Sequence, residues 1–249
     1  MASSGKAASS LRILAFDIGG TGLKAALLDG TGKMLSERLR IDTPPRATPA
    51  VLVQALVKLV APLSGYTHVA VGFPGVVRRG VILPAPTLGN PKLIGFDIER
   101  ALAKALGKPV RAVNDAEMQG FATIEGRGLE LVVTLGTGFG SALFSEGRST
   151  PHLELSTHGF RHDETYNQQL GDAALKEVGK KKWNRRVLHA IDSLYHLTHF
   201  DHLYLGGGNA ANLRLPLPKN VSAVSNVNGL RGGAWVWRET EAGPAKRPL

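Results

Sequence analysis

The sequence predicts an α/β protein built from two related halves. The first observation is a strand, a glycine-rich turn and a second strand over residues 11–28, an arrangement that recurs over residues 132–144. The second is that short apolar strands alternate with amphipathic helical segments in the rest of each half. In both halves a strand rather than a helix follows the glycine turn, which argues against a dinucleotide-binding turn of the Rossmann type.

The segment LRILAFDIGGTGLKAALL contains the first glycine turn. Only a few residues separate its two apolar runs, so we expect a tight hairpin in which Gly20 and Gly22 take positive φ. Backbone N–H groups exposed in such a turn, beside a threonine hydroxyl, a lysine ammonium and one aspartate, suit a phosphate chain and its Mg²⁺. A glycine hairpin without a ligand is the alternative for this turn taken alone.

Further elements complete the first half. We expect a third strand at residues 33–41, a helix at 49–63 capped by Thr48, a strand at 68–72, a helix at 97–106 and a strand at 109–113. Residues 73–75 form a sharp loop at the carboxyl end of a strand, where open α/β sheets usually bind ligands. The strand at 109–113 brings Asn114 and Asp115 to the same edge, and a helix is expected over 116–124.

The second half opens with a strand at residues 130–135, a glycine turn at 136–140 and a strand at 141–144. Helices are expected at 167–178 and 183–198, strands at 202–205 and 221–225, and a closing helix at 228–237. A third glycine turn, at 206–210, leads from a strand into a helix at residue 211. Such a turn suits a phosphate group or an adenosine.

The composition of the 249 residues limits the function further. There is no cysteine, which excludes disulfides, thiolate zinc sites and cysteine nucleophiles. The 30 Lys and Arg residues outnumber the 20 Asp and Glu residues, for a net charge of +10, so an anionic partner is expected. Because no nucleic-acid-binding motif accompanies this charge, a polyanionic small substrate is favoured over DNA or RNA.

Targeting signals and membrane anchors are not predicted. Apolar runs such as residues 51–63 are interrupted by polar side chains and are shorter than the ~20 residues that a membrane span needs. Residues 1–10 lack the apolar core of a signal peptide and are expected, like residues 241–249, to form a disordered tail. We therefore expect a cytoplasmic protein.

Four motifs in the same order resemble one family. They are DIGGTGLK at residues 17–24, NDAE at 114–117, TLGTGFG at 134–140 and LGGGNA at 205–210. Together they resemble the ROK sugar kinases of the actin-like ATPase superfamily, and especially the polyphosphate glucokinase branch. The resemblance implies two ribonuclease H-like lobes with a central cleft, at residues 11–115 and 116–240, with the last helix packing back on the first lobe. It also implies a homodimer.

The same resemblance implies an activity. A phosphoryl group would pass from inorganic polyphosphate, ATP or both to the 6-hydroxyl of glucose, with Mg²⁺ as cofactor. No structural zinc is expected, since the cysteine-rich zinc loop of many family members has no counterpart here. Two alternatives are a non-catalytic sugar sensor or regulator of the ROK type, and an ATP-only kinase for another hexose such as mannose or an amino sugar.

Individual roles follow from the resemblance alone. Asp17 would organise Mg²⁺, and the donor would be held by three groups of residues: Gly19, Gly20, Thr21 and Lys24; Gly136, Thr137 and Gly138; and Gly206, Gly207, Gly208 and Asn209. Asp115 would act as general base. The sugar would be bound by Gly75, Asn90, Asn114, Asp115, Glu154, His158 and Glu164.

Competing interpretations exist for several of these residues. Asn114 and Asp115 follow a strand and also suit a simple helix cap. The family pattern Glu-x-Gly-His is replaced here by ELSTH at residues 154–158, with one extra residue and no glycine. His158, His162, Asp163 and Glu164 also suit a solvated loop. His158 and His162 have a spacing compatible with a metal. The basic run at residues 180–186 either forms a solvated helix face or lines a groove for a long phosphate chain.

Overall fold

The computed structural model describes residues 11–83, 88–224 and 229–238. The chain divides into two compact units, of which the first holds residues 11–83, 88–122 and 229–238 and the second holds residues 123–224. The predicted tails at residues 1–10 and 241–249 lie outside the described residues. Among the helices that are described, none is long and apolar enough to cross a membrane.

The first unit is built on a five-stranded sheet. Its elements are β1 (Arg12–Ile18), β2 (Gly22–Asp29), β3 (Leu39–Asp42), α1 (Pro49–Leu59), β4 (His68–Phe73), β5 (Val77–Arg78), β6 (Val81–Ile82), α2 (Ile98–Leu106), β7 (Val110–Asn114) and α3 (Asp115–Phe121). The strand order is β3-β2-β1-β4-β7. The first three strands are antiparallel neighbours, and β4 and β7 run parallel to β1.

The two faces of this sheet carry different side chains. The alternating β1 residues Leu14, Phe16 and Ile18 are fully buried in a hydrophobic cluster with the apolar faces of α1 and α2. Because successive strand residues point to opposite faces, Ala15 and Asp17 face the other side of the sheet. The helices on that side therefore determine the surroundings of Asp17.

The second unit contains another five-stranded sheet. Its elements are β8 (Leu129–Leu135), β9 (Phe139–Ser145), β10 (Arg148–Ser149), β11 (Gly159–Arg161), β12 (Glu164–Thr165), α4 (Tyr166–Leu170), α5 (Asp172–Thr198), β13 (His202–Gly206) and β14 (Val221–Ala223). The core includes Trp183 of α5, which is fully buried and donates from Nε1 to the carbonyl oxygen of Leu170 at 3.0 Å.

The second sheet repeats the topology of the first. Its order is β10-β9-β8-β13-β14, with three antiparallel neighbours followed by two parallel strands. A glycine turn joins β8 to β9 as another joins β1 to β2. The predicted α/β fold class with a duplicated strand, glycine turn and strand is confirmed.

Some predicted boundaries are wrong. The third strand, predicted at residues 33–41, is limited to β3. Before β3, the Leu27 N–H of β2 donates to the Ser36 hydroxyl at 2.9 Å and not to a backbone carbonyl oxygen of a neighbouring strand. The helices predicted at 167–178 and 183–198 are separated as expected, since α5 consists of two helices divided at Gly179, whose φ of 72° is not helical. The start of the first is wrong, because α4 (Tyr166–Leu170) is a separate short helix before Asp172. A 3-10 helix, Gly208–Asn212, replaces the helix predicted at residue 211. The predicted end of the last strand at 225 and start of the closing helix at 228 lie outside the described residues.

The last helix, α6 (Gly233–Arg238), lies on the Asp17 face of the first sheet. A Cβ on Gly233 would lie 2.9 Å from the Cβ of Ala15 and 3.1 Å from that of Ala70, so the helix backbone packs directly on β1 and β4. Trp237 donates from Nε1 to the Val69 carbonyl oxygen at 3.2 Å. α6 also packs on α3, which itself contacts β4 and β7, so both helices cover this face of the first sheet.

The outer edge of β7 is covered by a carboxylate. Glu99 of α2 accepts the backbone N–H of Ala112 at 2.8 Å. Burial raises the pKa of Glu99 above its ordinary value, although the hydrogen bond from Ala112 acts in the opposite direction. This contact satisfies a backbone donor that the sheet leaves unpaired.

We predict that Gly232→Ala strongly destabilises the first unit. The added Cβ would overlap with the carbonyl oxygen of Met118 in α3, and a backbone atom cannot move aside as a side chain can. Overpacking of this kind costs ~1–3 kcal/mol or more. Denaturant unfolding would measure the loss, with Gly159→Ala as control because a Cβ there meets nothing within 4 Å. Equal stabilities of the two variants would contradict the proposed packing.

Candidate active site

Asp17 and Lys24 face each other beside the first glycine turn. They are partners in the antiparallel register of β1 and β2, and Lys24 Nζ lies 2.8 Å from Asp17 Oδ2. The Asp17 and Lys24 side chains are 20% and 29% exposed, so the ion pair is partly buried and still reachable by solvent. A carboxylate and an ammonium are thus held together at the end of β1.

Gly72 allows Asp115 to approach the same face of the sheet. Gly72 is the β4 partner of Asp17 in the parallel register, so a side chain at either position would point to the same side. A Cβ on Gly72 would lie 2.6 Å from Cε of Met118 and 3.4 Å from Cα of Asp115. The backbone of α3 therefore lies directly over Gly72, and Asp115 begins this helix on the Asp17 side of the sheet.

Asn114 holds the start of α3 and the loop after β4. Its Oδ1 accepts the N–H groups of Ala116 at 2.8 Å and Glu117 at 3.4 Å, which makes it the helix N-cap. Its Nδ2 donates to the carbonyl oxygens of Gly75 at 3.1 Å and Phe73 at 3.5 Å. The residue is 5% exposed. The helix-cap interpretation of Asn114 is therefore correct, and its amide also fixes the loop that contains Gly75.

The backbone conformation of the first glycine turn differs from the prediction. The expectation of a positive φ is wrong for Gly22, whose backbone is outside the left-handed region. Its missing side chain instead makes room for the Arg40 guanidinium, since a Cβ there would lie 2.9 Å from Nε. Gly19 donates its N–H to the Gly22 carbonyl oxygen at 3.0 Å, and its own carbonyl oxygen accepts from the Thr43 hydroxyl at 2.6 Å. The turn is tight at Gly19, where a Cβ would lie 3.1 Å from the Gly22 carbonyl oxygen, whereas the flexible end of Arg40 could move aside for a Cβ on Gly22.

Asn90 has a structural role in the described part of the first unit. Its Nδ2 donates to the Arg46 carbonyl oxygen at 2.7 Å, and its Oδ1 accepts the Lys92 N–H at 3.0 Å at the start of a 3-10 helix, Pro91–Leu93. The side chain thus links two loops of the first unit. Sugar binding by Asn90 stays a prediction.

The second glycine turn, residues 136–138, is anchored from three directions. Gly136 donates its N–H to the Gly138 carbonyl oxygen at 3.0 Å, and its own carbonyl oxygen accepts from the Asp172 N–H at 2.9 Å. The Phe139 N–H is bound by Oδ1 of Asn167 in α4 at 3.0 Å. Asn167 was not identified from the sequence, because no local pattern shows that α4 packs on this turn.

The third glycine turn, residues 206–209, packs on the second. Gly207 has φ 87°, and a Cβ on it would overlap with the backbone of Leu135 immediately before the second turn. Asn209 donates from Nδ2 to the Gly136 carbonyl oxygen at 3.2 Å. Asp172 also contacts Asn209, although the ion pair with Lys176 is the larger cause of its lowered pKa. The two turns that the sequence assigned to the donor therefore form one connected surface of the second unit.

Two residues that sequence reasoning missed lie against the Glu154 carboxylate. The Ser156 hydroxyl donates to its Oε1, and Nε2 of His152 lies 3.6 Å from its Oε2. Burial alone would raise the pKa of Glu154, yet the contacts from His152 and Ser156 outweigh burial and hold this pKa below its ordinary value. Glu154 is therefore ionised at neutral pH. The substitution of serine for the glycine of the family pattern supplies the Ser156 contact.

His158 and Glu164 lie nearby in the chain but in other contacts. His158 is exposed, and its Nδ1 donates to the Gly159 carbonyl oxygen at 2.9 Å. Glu164, in β12, accepts from Nε2 of Gln169 in α4. Sugar contacts of both residues stay predictions. In the part of the chain that the structure describes, no three His, Asp or Glu side chains form a metal-binding group, so the pair His158 and His162 is not extended to one.

The basic run at residues 180–186 begins just after the break at Gly179 in α5. The exposed members are Lys180, Lys181, Lys182 and Arg185. Arg186 is partly buried and donates from Nη1 to the Gln169 carbonyl oxygen at 3.2 Å. The run therefore presents four cations to solvent in the second unit, which both the solvated-face and the phosphate-groove interpretations allow.

Comparisons with known proteins find relatives similar to this chain over most of its length. Polyphosphate glucokinase from Mycobacterium tuberculosis is 28% identical over 239 residues, covering 88% of each chain. The crystal structure of an inorganic polyphosphate/ATP-glucomannokinase from Arthrobacter superposes with a TM-score of 0.82 at 29% identity, covering 92% of this chain and 99% of that one.

A more distant structure shares the fold alone. A ROK-family glucokinase from Streptomyces griseus, solved with glucose and AMPPNP, gives a TM-score of 0.77 at 17% identity, covering 90% of this chain and 98% of that one. The family model described as the ROK family matches residues 13–151, more than half of the sequence. The chain belongs to the ROK family.

Proposed function

We propose that this ROK-family chain is a glucokinase-type hexose kinase that transfers a phosphoryl group to the 6-hydroxyl of glucose. The observation that carries this proposal is the position of Asp115, which starts α3 over Gly72 on the Asp17 side of the first sheet. Asp115, as general base, and Asp17, as a carboxylate suited to a metal–phosphate group, thus lie on the same side of the first sheet. The similarity to polyphosphate glucokinase and to the glucomannokinase supports the same reaction.

The acceptor sugar would be bound mainly by Glu154 and by the loop containing Gly75. An ionised Glu154 accepts hydrogen bonds from sugar hydroxyls, and such charge-assisted bonds are stronger than neutral ones. Asn114 fixes the Gly75 loop through its two donated hydrogen bonds. We propose His158 and Glu164 as further sugar contacts. Because the Arthrobacter structure is described as a glucomannokinase, glucose and mannose are the first acceptors to test.

The donor would be held by the glycine turns and Lys24. The first turn is followed by Lys24, whose ammonium adds positive charge beside Asp17. The second and third turns form one surface with backbone groups near solvent, and Asn209 links them. Backbone N–H groups and a lysine suit a phosphate chain whether it ends in adenosine or continues as polyphosphate.

Asp17 fits the Mg²⁺ that such a reaction uses. Its carboxylate is partly open to solvent, and a Cβ on Gly229 would lie 3.6 Å from Oδ2, so no side chain from that position fills the space. Mg²⁺ in kinases is held by one or two carboxylates together with phosphates and water. When bound, Mg²⁺ would neutralise charge on the donor phosphates.

The chemistry of the protein itself is proton removal and alignment. Asp115 takes the proton from the 6-hydroxyl, the sugar oxygen forms a bond to the terminal phosphorus, and the bond from that phosphorus to the bridging oxygen breaks. The shortened donor leaves with the negative charge. The hydrogen bond from the Ala116 N–H to Asp115 Oδ1, at 2.9 Å, orients the carboxylate for this task.

We predict that Asp115→Asn abolishes turnover while leaving glucose binding largely intact. The amide has the shape of the carboxylate but cannot take the proton, so kcat should fall ~10²- to 10⁴-fold. A coupled assay for glucose 6-phosphate and calorimetric titration with glucose would measure the two properties. Glu117→Gln, which removes a carboxylate from the same helix turn, is the matched control. Phosphorylation retained in Asp115→Asn would refute the general-base role.

We predict that added salt reduces activity with polyphosphate more steeply than activity with ATP. A long polyanion contacts more cations than ATP does, and screening weakens each exposed contact. Replacing Lys180, Lys181 and Lys182 together by glutamine should flatten the salt dependence for polyphosphate. Replacing the exposed Lys58, Lys104 and Lys108 by glutamine removes the same charge from the first unit and is the control. Equal salt slopes for both donors in the wild-type protein would count against this basic run as a donor groove.

A further inference from the structure

Two histidines flank Glu154 in the chain, and the proposed function uses only His158. His152 lies two residues before Glu154, and its side chain is only 7% exposed. In the family pattern a histidine follows the glutamate, and the corresponding residue here is His158. His158 is exposed, and its Nδ1 donates to a backbone carbonyl oxygen. The buried histidine of this segment is therefore the one before Glu154.

The imidazole of His152 is aimed at the Glu154 carboxylate. Within the described residues, its Nε2 is buried and has no hydrogen-bond partner, and it lies 3.6 Å from Oε2. Buried polar atoms in folded proteins nearly always have a partner, so an exception calls for an explanation. A movement of Glu154 by less than ~1 Å would bring the two atoms within hydrogen-bond distance.

The other oxygen of Glu154 is already fixed. Ser156 donates its hydroxyl to Oε1, so contacts on both oxygens would restrict rotation of the carboxylate. A carboxylate held in this way keeps its remaining lone pairs in fixed directions, and hydrogen bonds in such a chain polarise one another. The hydrogen bonds on Glu154 are therefore expected to be strongest when a ligand also donates to its remaining lone pairs.

We propose that His152 is a positioning residue that orients Glu154 for the hexose and closes onto its Oε2 when the sugar binds. This proposal rests on the proposed function, because it takes Glu154 as a sugar ligand. It also explains how the altered ELSTH segment works. Ser156 and His152 hold the glutamate from two sides, and neither contact depends on the Glu-x-Gly-His pattern.

The test compares sugar kinetics of His152 variants. His152→Phe keeps the ring volume and removes both nitrogens, and we expect KM for glucose to rise about tenfold or more with kcat nearly unchanged. His152→Gln, which retains an amide near the position of Nε2, should restore most of the affinity. A purely structural role would change stability in both variants and would not be rescued by glutamine.

A matched control exists elsewhere in the second unit. His196 also lies 3.6 Å from a carboxylate oxygen, that of Asp192, but both side chains are mostly exposed on α5. His196→Phe should leave KM for glucose unchanged. If His152→Phe does not fold, His152→Leu supplies the same comparison with a smaller apolar side chain.

A double variant separates the possible outcomes. In Glu154→Gln the partner of His152 is already lost, so adding His152→Phe should raise KM little further. Independent, multiplying effects of the two substitutions, or a normal KM in His152→Phe, would overturn the positioning role while leaving the kinase proposal intact. A wild-type protein that phosphorylates no hexose with either donor would instead refute the proposed function.

Discussion

Close approach of backbone to one face of the first sheet is the constraint on which the positions of Asp17 and Asp115 depend. Three glycines, Gly72, Gly232 and Gly233, stand where a Cβ would meet Met118 or the β1 and β4 side chains. Their missing side chains allow α3 and α6 to lie against the face that carries Asp17. The position of Asp115 thus follows from packing, and its carboxylate needs no flexible loop to reach that face.

In the second unit, hydrogen bonds rather than close backbone packing fix the glycine turn. The glycine turn after β8 is fixed by contacts to Asp172, Asn209 and Asn167, which come from three different segments. A turn whose backbone is bound on its inner side presents its remaining groups to a ligand without further ordering. Preorganisation of this kind lowers the entropy lost when a ligand binds, which suits the donor site proposed for this turn.

The sequence allowed the fold and the positions of Asp17 and Asp115 near the ends of strands to be predicted because their signals are local. A strand, a glycine turn and a strand can be recognised within about twenty residues, and Asp115 directly follows an apolar strand. The surroundings of Glu154 could not be predicted in this way. His152 and Ser156 have ordinary alternative roles in a polar loop, and only their burial and distances reveal the contacts with the carboxylate. The positive φ expected at Gly22 was wrong, because the close contacts of this turn with Arg40 and Thr43 come from a distant part of the chain.

The carboxylate of Glu99 has a consequence beyond satisfying one donor. An open strand edge with unpaired N–H groups can recruit a strand from another chain, which is a common route to aggregation. With Glu99 on the Ala112 N–H, an incoming strand would have to displace a half-buried side chain before it could pair with β7. The contact that satisfies the Ala112 N–H therefore also hinders edge pairing at this position of β7.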